Sequence, residues 1–138
     1  TLMFIPYGTM VDEFQNIVYK HPEMTPEERN ELWKKLEKEY RPHLDYKNNP
    51  FLNEGRLWQK QSHIYENPYY YIDYCLAAVN ALQYKAFMKR DFKEAWKSYM
   101  EFSHLSASLF FTELEKKAGL MSPFEEGSIR KLVEGLED

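Results

Sequence analysis

The run PYYYIDYCLAAVNALQYKAFMK, residues 68–89, decides the fold. No glycine or second proline interrupts it, and Ile72, Leu76, Ala78, Val79, Leu82, Ala86 and Phe87 make it the most hydrophobic helical stretch of the chain. It is therefore expected to be a central helix from Pro68 to about Lys89. Ala77, Ala78 and Ala81 thin one side of it, so that another helix can approach closely.

Working back from that stretch, the amino-terminal third shows helical periodicity with clear start and stop signals. Met10, Phe14, Ile17 and Val18 recur at helical spacing, so Thr9 to about Lys20 reads as an amphipathic helix after a Pro6-Tyr7-Gly8 turn, with Thr9 as N-cap. It should stop at His21-Pro22, because the residue before proline is pushed out of the helical region. Thr25, Pro26 and Glu28 form a capping box with proline at the first helical position, and Leu32, Trp33, Leu36 and Tyr40 make a narrow apolar stripe ending before Pro42. The segment RPHLDYKNNPFLNEG, residues 41–55, is rich in turn formers and predicts an irregular excursion with at most a short helix after Asn53.

Working forward, Asp91 with Glu94 marks another N-cap, and Phe92, Ala95, Trp96, Tyr99 and Met100 continue a helix toward Phe102. A further helix is expected from about Ser106 to Lys117, burying Leu109, Phe110 and Leu114 and stopping at Gly119. Ser122-Pro123-Phe124-Glu125 repeats the capping signature ahead of Ile129, Leu132, Val133 and Leu136. No segment alternates with period two for long enough to make a strand. The expectation is an all-α unit spanning residues 1–138, with about five to seven helices and short connections.

Composition narrows the functional classes. With 18 basic and 22 acidic residues interspersed, the chain carries no basic footprint for nucleic acid and no polybasic patch for a membrane surface. No apolar run approaches the roughly 18 residues of a membrane helix. A single cysteine, Cys75, excludes an intramolecular disulfide, reads as a small buried hydrophobe, and fits a reducing, cytoplasmic setting. The opening TLMFIPYG starts without Met and with apolar residues, as a piece of something longer would.

Motifs for intrinsic chemistry are missing. The histidines His21, His43, His63 and His104 are widely spaced, no H-E-x-x-H occurs, and no glycine loop could cradle a phosphate, so no metal ligands are assigned within this segment. What stands out is HIYENPYYYIDY, residues 63–74, which sets His63, Tyr65, Tyr69, Tyr70, Tyr71 and Tyr74 at or beside the start of the central helix, with Tyr84 further along it. Tyr70 and Tyr74 are four residues apart and Tyr71 and Tyr74 three, so these phenols share a helix face onto which His63 can fold. Donors converging on one point suit an oxyanion or a peptide carbonyl. The same groups could equally bond main-chain carbonyls of neighbouring helices.

Taken as runs, IPYGTMVDEFQNIVYKHPEMTPEER (5–29), YRPHLDY (40–46), WQKQSHIYENPYYYIDYCLA (58–77) and LSASLFFTELEKKAGLMSPFEEG (105–127) closely resemble the carboxyl-terminal part of oligoendopeptidase F-type zinc metallopeptidases, relatives of thimet oligopeptidase. The resemblance implies part of the helical catalytic domain of a larger zincin-type peptidase that hydrolyses short peptides around one zinc ion. In that family the zinc is bound upstream, so the resemblance implies that zinc belongs to the parent enzyme and that this segment alone binds none and is inactive. It further implies that His63 donates to a substrate carbonyl, that Tyr71 and Tyr74 supply the oxyanion donor, and that Tyr65, Tyr69 and Tyr70 contact substrate. The thimet branch carries glycine in this loop, where Asn67-Pro68 stands here.

Two classes of function remain open on the sequence. One is a catalytic-domain segment whose partners are short peptides and the remainder of the peptidase domain, and which pairs with a second copy of itself if its uncovered apolar surface is left bare. The other is a non-catalytic helical peptide-binding or interaction module built on the same scaffold.

Overall fold

The computed structural model describes residues 2–137. Among them the regular structure is entirely helical, with eight α-helices and no strand. The helices are α1 (Phe4–Lys20), α2 (Pro26–Tyr40), α3 (Pro50–Asn53), α4 (His63–Glu66), α5 (Tyr71–Arg90), α6 (Phe92–Leu105), α7 (Phe111–Ala118) and α8 (Ser128–Glu137), with a 3-10 turn at Arg56–Lys60. Since α3 and α4 are single turns of four residues, six longer helices carry the architecture, as the all-α reading expected. The chain divides into two compact units, Thr1–Cys75 and Leu76–Asp138.

In the first unit α1 begins at Phe4, ahead of the expected start at Thr9. Pro6 falls in the first turn, where a missing N–H removes no helical bond. Thr9 is therefore interior and caps nothing; its hydroxyl donates back to the Ile5 carbonyl at 2.9 Å. Gly8 is not a turn residue either. A Cβ there would collide with the Cys75 Sγ, so the glycine lets α1 and the start of α5 approach.

Helix α2 starts as its sequence dictates: the Thr25 hydroxyl accepts from the Glu28 amide (3.2 Å) and the Glu28 carboxylate accepts from the Thr25 amide (2.8 Å). Its narrow stripe buries Trp33 and Leu36 against Met10, Val11, Phe14 and Val18 of α1. Trp33 meets Phe14 edge-on with centroids 5.1 Å apart, and Phe14 touches Trp58 at 5.6 Å. Buried side chains of this size each contribute about 1.5–3 kcal/mol through apolar area removed from water. The single turn α3 ends at Asn53 instead of following it, because Asn49 caps it by accepting from the Leu52 amide (3.1 Å) and Pro50 occupies its first position.

In the second unit α6 has the expected cap, the Asp91 carboxylate accepting from the Glu94 amide at 3.1 Å. Two other expectations fail here. Residues 106–110 do not join α7, and Phe110 is 82% exposed instead of buried. Ser106 and Ser108 hydroxyls donate to the carbonyls of Ser103 and Leu105 (both 2.9 Å), a local alternative to helix continuation. The Ser122-Pro123 signature caps no helix: its hydroxyl accepts from the Phe124 amide in a turn (3.4 Å), and α8 begins only after Gly127, at φ 78°. Helix α7 does end at Gly119, in the left-handed region at φ 71°. The unit is held by Tyr84, Ala118 and Leu120, with Phe87 and Phe102 against them.

Candidate functional site

The segment from His63 to Tyr74 is fastened to the first unit's core by two side chains, Ile64 and Tyr71, both buried with Trp33 and Trp58. Fixing those two positions fixes what lies between them. The α4 turn is pinned again by Tyr19, whose hydroxyl donates to the Ile64 carbonyl. Beyond it the chain must reverse into α5, and it does so through Tyr69 in the left-handed region at φ 62°, a conformation unfavourable for a bulky side chain. Its amide donates to the Gln15 side-chain oxygen at 3.1 Å, and its ring meets Tyr19 edge-on at 5.3 Å. Gln15 is fully buried, so the reversal is held from inside the core and needs no glycine.

This reversal gathers one imidazole and three phenols. His63 lies parallel to Tyr70 (6.3 Å between centroids) and edge-on to Tyr71 (4.9 Å) and Tyr74 (5.7 Å). Tyr74 meets Tyr70 at 5.3 Å and Tyr71 at 5.6 Å. The i,i+3 and i,i+4 spacings thus act as the sequence indicates, and His63 does fold onto that face. Tyr71 is buried whereas Tyr70 and Tyr74 are 47% and 42% exposed, so the cluster has a rooted side and an open side.

Tyr65 and Tyr69 stand apart from it. Tyr65 stacks on Trp58 at 6.2 Å, and Tyr69 packs on Tyr19 as above. Tyr84 is bonded to Ser98 (3.2 Å) within the second unit.

Electrostatics keep the phenols protonated. Burial, then the neighbouring Cys75 and Tyr74, push the Tyr71 hydroxyl above the ordinary phenol range. The adjacent Tyr70 hydroxyl, then desolvation, does the same to Tyr74. Both are therefore O–H donors at neutral pH.

Behind the imidazole stand two residues that sequence reasoning missed. The Gln61 side chain lies 3.0 Å from His63 Nδ1, and its oxygen accepts from the Tyr7 hydroxyl at 2.9 Å. Burial, then the nearby Tyr71, raise the Tyr7 hydroxyl to about 12. Gln61 could have been suspected from its place two residues before His63; Tyr7, 54 positions from Gln61, gave no signal. A resident metal does not fit the described residues, among which no three His, Cys, Asp or Glu side chains converge.

No protein-family model and no curated protein matches the sequence. Solved structures do. A protein assigned as oligoendopeptidase F, in an X-ray structure at 3.1 Å, is 46% identical over 99% of this chain with a TM-score of 0.91. The chain is a piece of the oligoendopeptidase F fold. A structure described as PZ peptidase A with an inhibitor is 46% identical over 97% of the chain (TM-score 0.89), and an assigned oligoendopeptidase F from Bacillus anthracis str. Ames is 37% identical over 99% (TM-score 0.75). The chain spans 24%, 24% and 21% of those three proteins, so most of an oligoendopeptidase F lies outside the stretch described.

Proposed function

We propose that this segment belongs to a zinc-dependent oligopeptidase of the oligoendopeptidase F type and supplies its peptide-facing donors, while the metal and its ligands reside elsewhere in the parent. The observation that carries this reading is the convergence of His63, Tyr70, Tyr71 and Tyr74 with the Tyr70 and Tyr74 rings open to solvent. Similarity to three peptidase structures supports the same conclusion.

In this reading a short extended peptide lies across the open side. His63 donates to a backbone carbonyl of the substrate, and Tyr74, with Tyr71 behind it, donates to the oxygen that gains negative charge when the scissile carbonyl becomes tetrahedral. A protonated phenol held by its neighbours stabilises that charge without reorganising. Tyr70 covers the imidazole and, with Tyr65 and Tyr69 on the flanks, offers apolar ring surface to substrate side chains. Zinc, when bound in the parent, supplies the Lewis acid and the activated water. Alone, the segment binds no zinc and cleaves nothing.

The test is a chimera in which this chain replaces the matching segment of a related oligoendopeptidase F. Tyr74→Phe and His63→Ala are expected to lower kcat about a hundred- to a thousandfold with KM nearly unchanged. A loss of less than threefold for both would remove the catalytic role. Retained peptide binding in that case would leave the helical peptide-binding module as the better reading.

A further inference from the structure

His63 presents either of two neutral forms, and only one of them places an N–H at the nitrogen remote from Gln61. The ring's Nδ1 is 3.0 Å from Gln61 Nε2, and an amide nitrogen can only donate. Nδ1 must then be the bare, accepting nitrogen, and the proton of the neutral ring sits on Nε2. The other end of the amide is engaged too: Gln61 Oε1 accepts from the Tyr7 hydroxyl at 2.9 Å, so in this orientation both ends of the amide are hydrogen-bonded. Tyr7 is itself immobilised. It packs edge-on against Trp33 (6.3 Å) and Tyr71 (6.1 Å), and the Arg41 guanidinium lies over its ring at 5.0 Å.

We propose that Tyr7 and Gln61 are positioning residues, a two-link chain of hydrogen bonds that fixes His63 in the Nε2–H form so that this nitrogen is the donor the open side presents. The geometry stands on its own; its catalytic meaning rests on the proposed peptide-facing role of His63. The chain runs Tyr7 O–H to Gln61 oxygen, then Gln61 N–H to His63 Nδ1. Exposed His21 has no such chain: its Nδ1 faces the Glu23 carboxylate at 3.2 Å, an acceptor that calls for the opposite form. One molecule thus contains both arrangements, and His21 serves as an internal reference.

The experiment reads the ring protons directly. Long-range proton–nitrogen correlation spectra of the whole chain, labelled with nitrogen-15 histidine and recorded above pH 8, report which ring nitrogen carries hydrogen, with His63 identified by its loss in His63→Gln. Wild-type His63 is expected to be Nε2–H alone, with an Nδ1 shift typical of an accepted hydrogen bond. Gln61→Glu replaces the donor by an acceptor and should convert His63 to the Nδ1–H form. Gln61→Leu and Tyr7→Phe should leave an averaged ring resembling His43 and His104. Backbone amide spectra establish that each variant is folded, and should Gln61→Glu not fold, Tyr7→Phe carries the test. A wild-type Nδ1–H ring overturns the proposal, as does a tautomer that none of the variants changes. A positive result beside a chimera in which His63→Ala leaves kcat intact would retain the relay and reject the catalytic reading, so the two fail separately.

Discussion

Gln15 in the first unit and Glu115 in the second are both polar, both on helices and both completely buried, yet they are treated in opposite ways. Gln15 has a partner at each end: its oxygen accepts from the Tyr69 amide (3.1 Å) and its nitrogen donates to the Val11 carbonyl (3.4 Å). Neither carboxyl oxygen of Glu115 has a hydrogen bond of normal geometry. Burial raises Glu115 to about 7, tempered by Asn80 and Ser122 nearby and reinforced by Glu125. A satisfied buried amide pins a strained backbone and so holds a site in shape; an unsatisfied buried acid makes its surroundings responsive to pH.

The tightness of the first unit can be broken most severely at Gly8. Gly8→Ala places a methyl on the Cys75 Sγ, between two helices, and is expected to destabilise by about 3 kcal/mol in urea titrations, with most of that loss recovered in a Cys75→Ala background. Equal costs in both backgrounds would mean that the close approach of α1 and α5 is not what Gly8 permits.

Next in size is the amide itself. Gln15→Leu keeps the bulk but strips two hydrogen bonds, leaving the Tyr69 amide without its partner, and should cost about 2 kcal/mol. Amide exchange at Tyr69 should quicken more than elsewhere in the unit. Uniform quickening would sink the idea that Gln15 holds the reversal in particular.

The smallest effect has the opposite sign and depends on pH. An unfolded Glu115 ionises near 4.5 whereas the folded one holds its proton to about 7, so its contribution favours folding most at low pH, falls as pH climbs from 4.5 to 7, and then levels off. Glu115→Gln should therefore stabilise by about 1 kcal/mol at pH 8 and should bring no gain below pH 4.5. Thermal melts across that range check it; a mutant advantage that does not vary with pH would end the contrast with Gln15.

Local signals were legible wherever neighbours in sequence do the work. The caps at Thr25 and Asp91, the stop at Gly119 and the shared face of Tyr70, Tyr71 and Tyr74 all depend on residues within four positions of each other. Readings failed where a local motif had a competing use. Thr9 looked like a cap and lies inside α1, while Ser122-Pro123 looked like a helix start and forms a turn. A hydroxyl followed by an acidic residue costs little to satisfy in several ways, and only the packed structure chooses.

By itself the sequence determined that the chain is helical, where the caps at Thr25 and Asp91 and the stop at Gly119 fall, and that one imidazole and several phenols crowd the start of α5. Tertiary structure alone decided which of those rings meet, because that depends on Tyr69 adopting a left-handed turn that Gln15, 54 positions away, holds from within the core. It also decided what stands behind His63. Tyr7 reaches Gln61 only when α1 packs beside the 3-10 turn, and a hydrogen bond across that separation leaves no periodicity for a sequence to display.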